Sequence, residues 1–85
     1  MSYDVRWTPR ALKEADRLDA RIRARVFDAV GGLSVNPRSV AVKKLVARRD
    51  LYRLRVGDIR VLFEIHDGAL VVLVLSVGHR SEAYD

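Results

Sequence analysis

Two glycine-bearing dipeptides, Gly57-Asp58 and Asp67-Gly68, constrain the fold of this chain more than any other feature. They separate three runs, residues 51–56, 59–65 and 69–77, that are rich in β-branched and aromatic side chains. Such runs bounded by turn residues read as strands. Glycine at the first central position of a two-residue loop suits a type II′ turn, and Asp-Gly suits type I′. The second half of the chain is therefore expected to be a three-stranded meander joined by tight hairpins.

The first half carries helical signals. Residues 3–7 alternate in polarity and read as a short strand. Thr8-Pro9 follows, a capping hydroxyl and then proline at the first helical position. Ala11, Leu12, Ala15 and Leu18 recur at helical spacing, which predicts a helix over residues 9–18. Asp19 can cap a second helix, whose Ile22, Val26, Ala29, Val30 and Leu33 form one apolar stripe opposite Arg21, Arg23 and Arg25. Gly31 and Gly32 weaken its last turn and Asn36-Pro37 ends it. A basic connector, residues 38–50, leads into the meander. The expected fold class is α+β: a β-α-α-β-β-β order, with a helical hairpin packed on one face of a small antiparallel sheet, in a single domain over residues 1–85.

Composition narrows the functional classes. The chain has 85 residues, 49 % of them hydrophobic, so one packed core is expected rather than disorder. It contains no cysteine, which excludes disulfides, thiolate chemistry and cysteine-ligated metals. No charged-then-apolar leader opens the chain and its longest apolar run, residues 69–75, is strand-sized, so no membrane association and a cytoplasmic location are expected. Sixteen Lys and Arg against eleven Asp and Glu give a net charge of +5, which favours a polyanionic partner. Most of these cations are arginine, whose planar fork suits phosphate oxygens and stacking on bases.

The turns imply a register. A two-residue loop at Gly57-Asp58 pairs Val56 with Ile59, Arg55 with Arg60, Leu54 with Val61 and Tyr52 with Phe63. Tyr52, Leu54, Val56, Ile59, Val61 and Phe63 then face the helices, while Arg53, Arg55 and Arg60 share the other face. Like charges directly opposite on a sheet cost from a few tenths up to about 1 kcal/mol, a cost most readily tolerated where an anion binds. The alternative is that these arginines merely keep the face soluble. Extending the register through Asp67-Gly68 pairs Phe63 with Val72, Leu62 with Leu73 and Arg60 with Leu75. Leu70, Val72 and Val74 then enter the core, and Val71, Leu73, Leu75 and Val77 lie on the arginine face. That apolar stripe needs a cover, either the C-terminal tail or a partner chain.

In the tail, Gly78 can break the last strand and bring His79, Arg80 and Tyr84 around the sheet edge. His66, beside a turn, is expected to be exposed and without a role. This set suits phosphoryl transfer within RNA, in which the substrate 2′-hydroxyl is the nucleophile and the protein orients groups, stabilises charge on phosphorus and moves protons. Arg53, Arg55, Arg60 and Arg80 can do the charge work. An ordinary base is scarce, because arginine holds its proton to a pKa above about 12 and Glu64 lies further along its strand. No close pair of carboxylates or histidines stands at ligand spacing, so neither a metal-dependent nuclease nor any cofactor is expected.

These residues resemble the RelE toxins of the RelE/ParE superfamily, the toxin half of type II toxin–antitoxin pairs. The resemblance runs through Tyr3-Asp4-Val5-Arg6-Trp7-Thr8 with Ala11-Leu12-Lys13, then residues 51–61, then Ser76-Val77-Gly78-His79-Arg80 with Tyr84. It implies a ribosome-dependent, metal-independent endoribonuclease that cuts messenger RNA and is neutralised by an acidic RelB-like antitoxin in a hetero-oligomer. By motif position it implies catalytic roles for Arg53, Arg55, Arg60, Arg80 and Tyr84, with Arg60 on the phosphate, Arg80 at the leaving group and Tyr84 on the substrate nucleotide. Arginine stands at Arg53 and Arg55 where the best-known members have lysine. Lys43, Lys44, Arg48, Arg49 and His79 are the expected further RNA contacts. The alternatives are a ParE-type toxin, which shares the fold but inhibits DNA gyrase, and a module that only binds.

Overall fold

The structure, a computed structural model, describes residues 2–46 and 48–79. In chain order it contains β1 (Asp4–Trp7), α1 (Pro9–Asp16), α2 (Ala20–Gly32), β2 (Val42–Lys44), β3 (Leu51–Val56), β4 (Ile59–His66) and β5 (Val71–His79). The strands form one sheet in the order β1-β5-β4-β3-β2, with both helices on one face. Among the described residues no helix is long and apolar enough to cross a membrane.

The helical hairpin forms as its caps dictate. Thr8 Oγ1 accepts from Ala11 N at 3.1 Å, with Pro9 opening α1. Asp19 caps α2 by accepting from Arg21 N. Helix α1 ends at Asp16, short of the expected Leu18, because the next cap is only three residues further on. Ala11 and Ala15 of α1 are fully buried, and Val26, Val30 and Leu33 carry the apolar stripe of α2 into the core. Leu12, expected on the buried side, is 45 % exposed. The sheet answers with Ile59, Val61, Phe63, Val72 and Val74, all essentially buried, and Tyr52 stacks on Phe63 with ring centroids 5.9 Å apart. Each such side chain contributes about 1.5–3 kcal/mol through burial.

The α+β arrangement and the first hairpin match expectation. Gly57 has φ +60°, as a type II′ turn requires, and the β3–β4 pairs are those the turn implies, Arg55 opposite Arg60 included. The sheet is nevertheless mixed rather than wholly antiparallel, since β1 runs parallel to β5, Asp4 opposite Val71. The helical crossover returns the chain so that β1 fills the open edge of the last strand, a pairing that no local signal announces. The connector also contributes β2, antiparallel to β3, with Lys43 opposite Arg53. Three residues of Val-Lys-Lys are too few to show an alternation.

The second hairpin differs from the expected one. Asp67-Gly68 does not make a two-residue type I′ turn. The ladder closes at His66 opposite Val71, and the loop spans four residues, with Leu70 rather than Gly68 at positive φ (54°). Leu70 therefore sits in the turn and not in the core. The longer loop moves the register by two residues, so Phe63 meets Val74 instead of Val72. A shift of two preserves the faces, and Val72 and Val74 stay inside. A bulge between Leu62 and Phe63 then leaves Leu75 without an opposite residue. Beyond it the alternation inverts, so Val77 faces the core at 3 % exposure rather than the arginines, and Arg60 stands opposite Gly78 rather than Leu75. Helix α1 stabilises this irregularity. Thr8 Oγ1 donates to Leu75 O at 3.2 Å, and Glu14 Oε1 accepts from Val77 N at 2.8 Å. The edge of β5 beyond the end of β1 is thus hydrogen-bonded to the helix.

Candidate functional site

The face of the sheet turned away from the helices carries three kinds of side chain. At the Gly57-Asp58 end, Arg55 is directly opposite Arg60; one step along, Lys43 is directly opposite Arg53. Two opposed like-charge pairs thus lie side by side, each costing from a few tenths up to about 1 kcal/mol if no anion is present. Arg55 is exposed, while Arg53 and Arg60 are half-buried. All three keep part of their surface open to solvent, and a planar guanidinium fork suits phosphate oxygens.

Next comes an apolar band. Leu62 lies opposite Arg53 and Leu51 opposite Glu64, each 9 % exposed, and the half-buried Val71, Leu73 and Leu75 continue it on β5. The expected stripe is therefore present without Val77. Beyond the band lies a polar corner. Glu64 Oε1 is 2.8 Å from His66 Nε2, and Arg48 donates to Glu64 Oε2. The His66 side chain is substantially exposed, as expected beside the turn, but it is also hydrogen-bonded to Glu64. Its spacing of two from Glu64 in a strand is the signal that was available, because such residues share a face.

The other expected contacts divide. Lys44 is turned to the opposite side, its ammonium donating to Arg49 O at 2.6 Å and lying 5.7 Å from the centre of the Tyr52 ring, so it closes the β2–β3 loop. Arg48 is committed to Glu64, whereas Arg49 is exposed in that loop. The chain does not leave the sheet at Gly78, which continues β5 opposite Arg60. His79 pairs with Ile59 and lines a cleft with Arg10 and Glu14 of α1 and Arg17 at its C-cap. It is thus on the helix side, away from the arginine face, because the bulge inverts the alternation before it. Arg80 and Tyr84 lie outside the described residues.

A second cluster, unforeseen in the sequence, ties the loops at the far end of the sheet. Arg38 Nη2 pairs with Asp67 Oδ2 at 2.8 Å and its guanidinium carbon lies 5.4 Å from the centre of the Tyr52 ring. Tyr3 Oη donates to Asp67 Oδ1 at 2.7 Å. The Arg38 guanidinium, with the Tyr3 hydroxyl, holds the Asp67 carboxyl below its ordinary value, and Asp67 in turn raises Tyr3 and Arg38. Its parts lie 29 and 64 residues apart, so no motif could show them.

The family model described as "ParE toxin of type II toxin-antitoxin system, parDE" matches residues 5–84. Toxin RelG of Mycobacterium tuberculosis is 39 % identical over 99 % of this chain and 98 % of its own length. The mRNA interferase toxin RelE of Escherichia coli is 33 % identical over 99 % of this chain and 92 % of its own. Among solved structures, a chain of the RelBE2 toxin–antitoxin complex from Mycobacterium tuberculosis superposes with a TM-score of 0.82 at 34 % identity, covering 94 % of this chain and all of that one.

Proposed function

This chain belongs to the RelE/ParE superfamily of type II toxin–antitoxin toxins and is of the RelE type, and from that we propose that it is an endoribonuclease cutting messenger RNA on the ribosome. The observation that carries the reading is the pair of opposed like-charge pairs, Arg55 with Arg60 and Lys43 with Arg53, on one open face. A phosphodiester laid there relieves both repulsions, and additional negative charge on phosphorus in the transition state is held more strongly than the ground state. The 2′-hydroxyl of the substrate attacks, Arg53, Arg55 and Arg60 hold the phosphoryl oxygens, and Arg80 and Tyr84 act at the leaving group and on the nucleotide, as the family motif implies. Lys43 and Arg49 extend the contact to neighbouring phosphates. The relative named as an mRNA interferase supports this reading. No residue in this scheme requires a metal.

The same reading gives the protein a cytoplasmic location and a RelB-like antitoxin partner, supported by the RelBE2 complex. An acidic segment that folds on binding has both cations and the Val71-Leu73-Leu75 band to cover. The ParE description of the matching family favours a second reading, inhibition of DNA gyrase without RNA cleavage.

Tightly controlled expression in a bacterium, with mapping of new messenger 5′ ends, tests the two. Growth arrest with in-frame cuts by the parent, and none by an Arg60→Ala variant, is expected. Arrest without cuts, accompanied by a DNA-damage response, would overturn the nuclease in favour of gyrase.

A further inference from the structure

The sheet ends differently on its two sides. Strand β1 is terminal on one and β2 on the other. At β1 the edge is already in use. Tyr3 N donates to Ser34 O at 2.7 Å, Ser34 Oγ donates to Tyr3 O at 2.9 Å, and Trp7 packs on Phe27 with ring centroids 4.7 Å apart. At β2 the edge is open. Arg55 N donates to Ala41 O and Leu45 N to Leu51 O, so residues 41, 43 and 45 turn their backbone toward β3. Val42 and Lys44, between them, turn theirs away from the sheet. Ser39 O takes the Val42 N–H at 2.9 Å. The Lys44 N–H and the carbonyls of Val42 and Lys44 are left facing outward.

Lysines commonly guard such an edge against other strands, but two features speak against that role here. The Lys44 ammonium is folded back on the carbonyls of Arg48 and Arg49 rather than held out along the edge. Val40 and Val46, two residues beyond either end of β2, are fully exposed. Apolar side chains beside open backbone groups mark a place for another strand. The edge also has a sign. Lys43 lies on the outer face directly opposite Arg53, and Arg49 is exposed in the loop that follows. A second copy of this chain would bring its own lysines against these, like charge to like.

We propose that the β2 edge takes a strand from the antitoxin, an extended segment that is acidic where it meets Lys43 and apolar where it meets Val42; this rests on the antitoxin reading above. In the antiparallel sense, one partner residue exchanges both backbone bonds with Lys44, and the residue two further on donates to Val42 O. The apolar residue then lies beside Val42, which is half-buried against the core. The residue between them stands across from Lys43 in a non-hydrogen-bonded pair, where side chains come closest. A carboxylate there offsets the repulsion between Lys43 and Arg53. It also sets a negative charge beside the cations that the nuclease reading gives to messenger RNA.

The test is amide hydrogen exchange, read by nuclear magnetic resonance on the isotope-labelled protein, alone and with its antitoxin. The antitoxin used is the acidic chain whose co-expression restores growth. The Lys43 N–H, turned toward β3, is the internal reference and should be protected in both states. The Lys44 N–H should exchange freely in the protein alone and slow by about tenfold or more in the complex. Lys44→Pro, which removes the outward donor, should weaken antitoxin binding about tenfold or more in calorimetric titration. Lys43→Glu, which meets the partner's acid with like charge, should weaken it about fivefold. Lys43→Glu carries the test if circular dichroism shows that Lys44→Pro does not fold. An antitoxin that binds while the Lys44 N–H still exchanges freely would overturn the proposal and leave the antitoxin reading intact. A free protein that dimerises with this N–H protected would assign the edge to a second copy and overturn the proposal as well. A protein that no acidic chain binds would overturn both.

Discussion

The two faces of this sheet are made by the same strands and governed by opposite demands. Along β4, Ile59, Val61, Phe63 and Ile65 are buried against the helices, and the residues between them are Arg60, Leu62, Glu64 and His66. The inner face excludes water and is held mainly by packing. The outer face sets arginine against arginine and lysine against arginine. Nothing on the inner side requires those charges, since any soluble residue there would leave the core unchanged. A fold thus keeps two independent records on one strand, and mutations should separate them.

The largest effect is expected from Phe63→Ala. Removing this fully buried ring should cost about 3–5 kcal/mol, a large share of the 5–15 kcal/mol typical of a whole domain, measured as a lowered midpoint in urea. If stability were little changed, the division between faces would be wrong. Arg60→Ala should do the reverse. It should lower cleavage about 10²–10³-fold, the loss found when one charge-stabilising donor is removed from an active site, and move the urea midpoint far less than Phe63→Ala does.

Thr8→Ala sharpens the comparison at the junction of the faces, because this hydroxyl both caps α1 and bonds to Leu75 O at the bulge. A loss of about 0.5–2 kcal/mol is expected, and a double variant with Glu14→Gln should show coupling, since Glu14 accepts from Val77 N on the same irregularity. Arg55→Glu should replace a like-charge pair with an unlike one. Stability should rise by a few tenths to about 1 kcal/mol while cleavage falls, and a variant that lost stability would mean the repulsion is already relieved within the free protein.

The smallest effect concerns Asp67. Its pKa is lowered below 3.8, first by Arg38 and then by Tyr3. A carboxyl depressed in the folded state adds stability that is complete above its unfolded value and disappears as pH falls through the folded one. Thermal unfolding of the parent and Asp67→Asn should therefore differ slightly at neutral pH, and the difference should disappear as pH falls through the depressed value of the folded carboxyl, below the ordinary carboxylate range. The side chains are exposed, so the difference should shrink with added salt.

Much of this was legible from residues alone. The caps Thr8 and Asp19, the Gly57-Asp58 turn and the facing of Arg53, Arg55 and Arg60 follow from local conformational preference and the two-residue period of a strand. So does the proximity of Glu64 to His66, two residues apart on one strand. The second hairpin was misread because Asp67-Gly68 carries a strong turn signal, while the positive φ is taken up by Leu70, a residue that seldom adopts it.

By itself the sequence determined the α+β class, the inner and outer residues of β3 and β4, and the cationic end of the outer face, since each depends on spacing within a few residues. Only the tertiary structure decided that β1 runs parallel to β5, that Thr8 and Glu14 hold a bulge there, and that Val77 and His79 consequently face the helices. The physical reason is that an open strand edge must find hydrogen-bond partners wherever the folded chain supplies them. For β5 those partners come from more than sixty residues away.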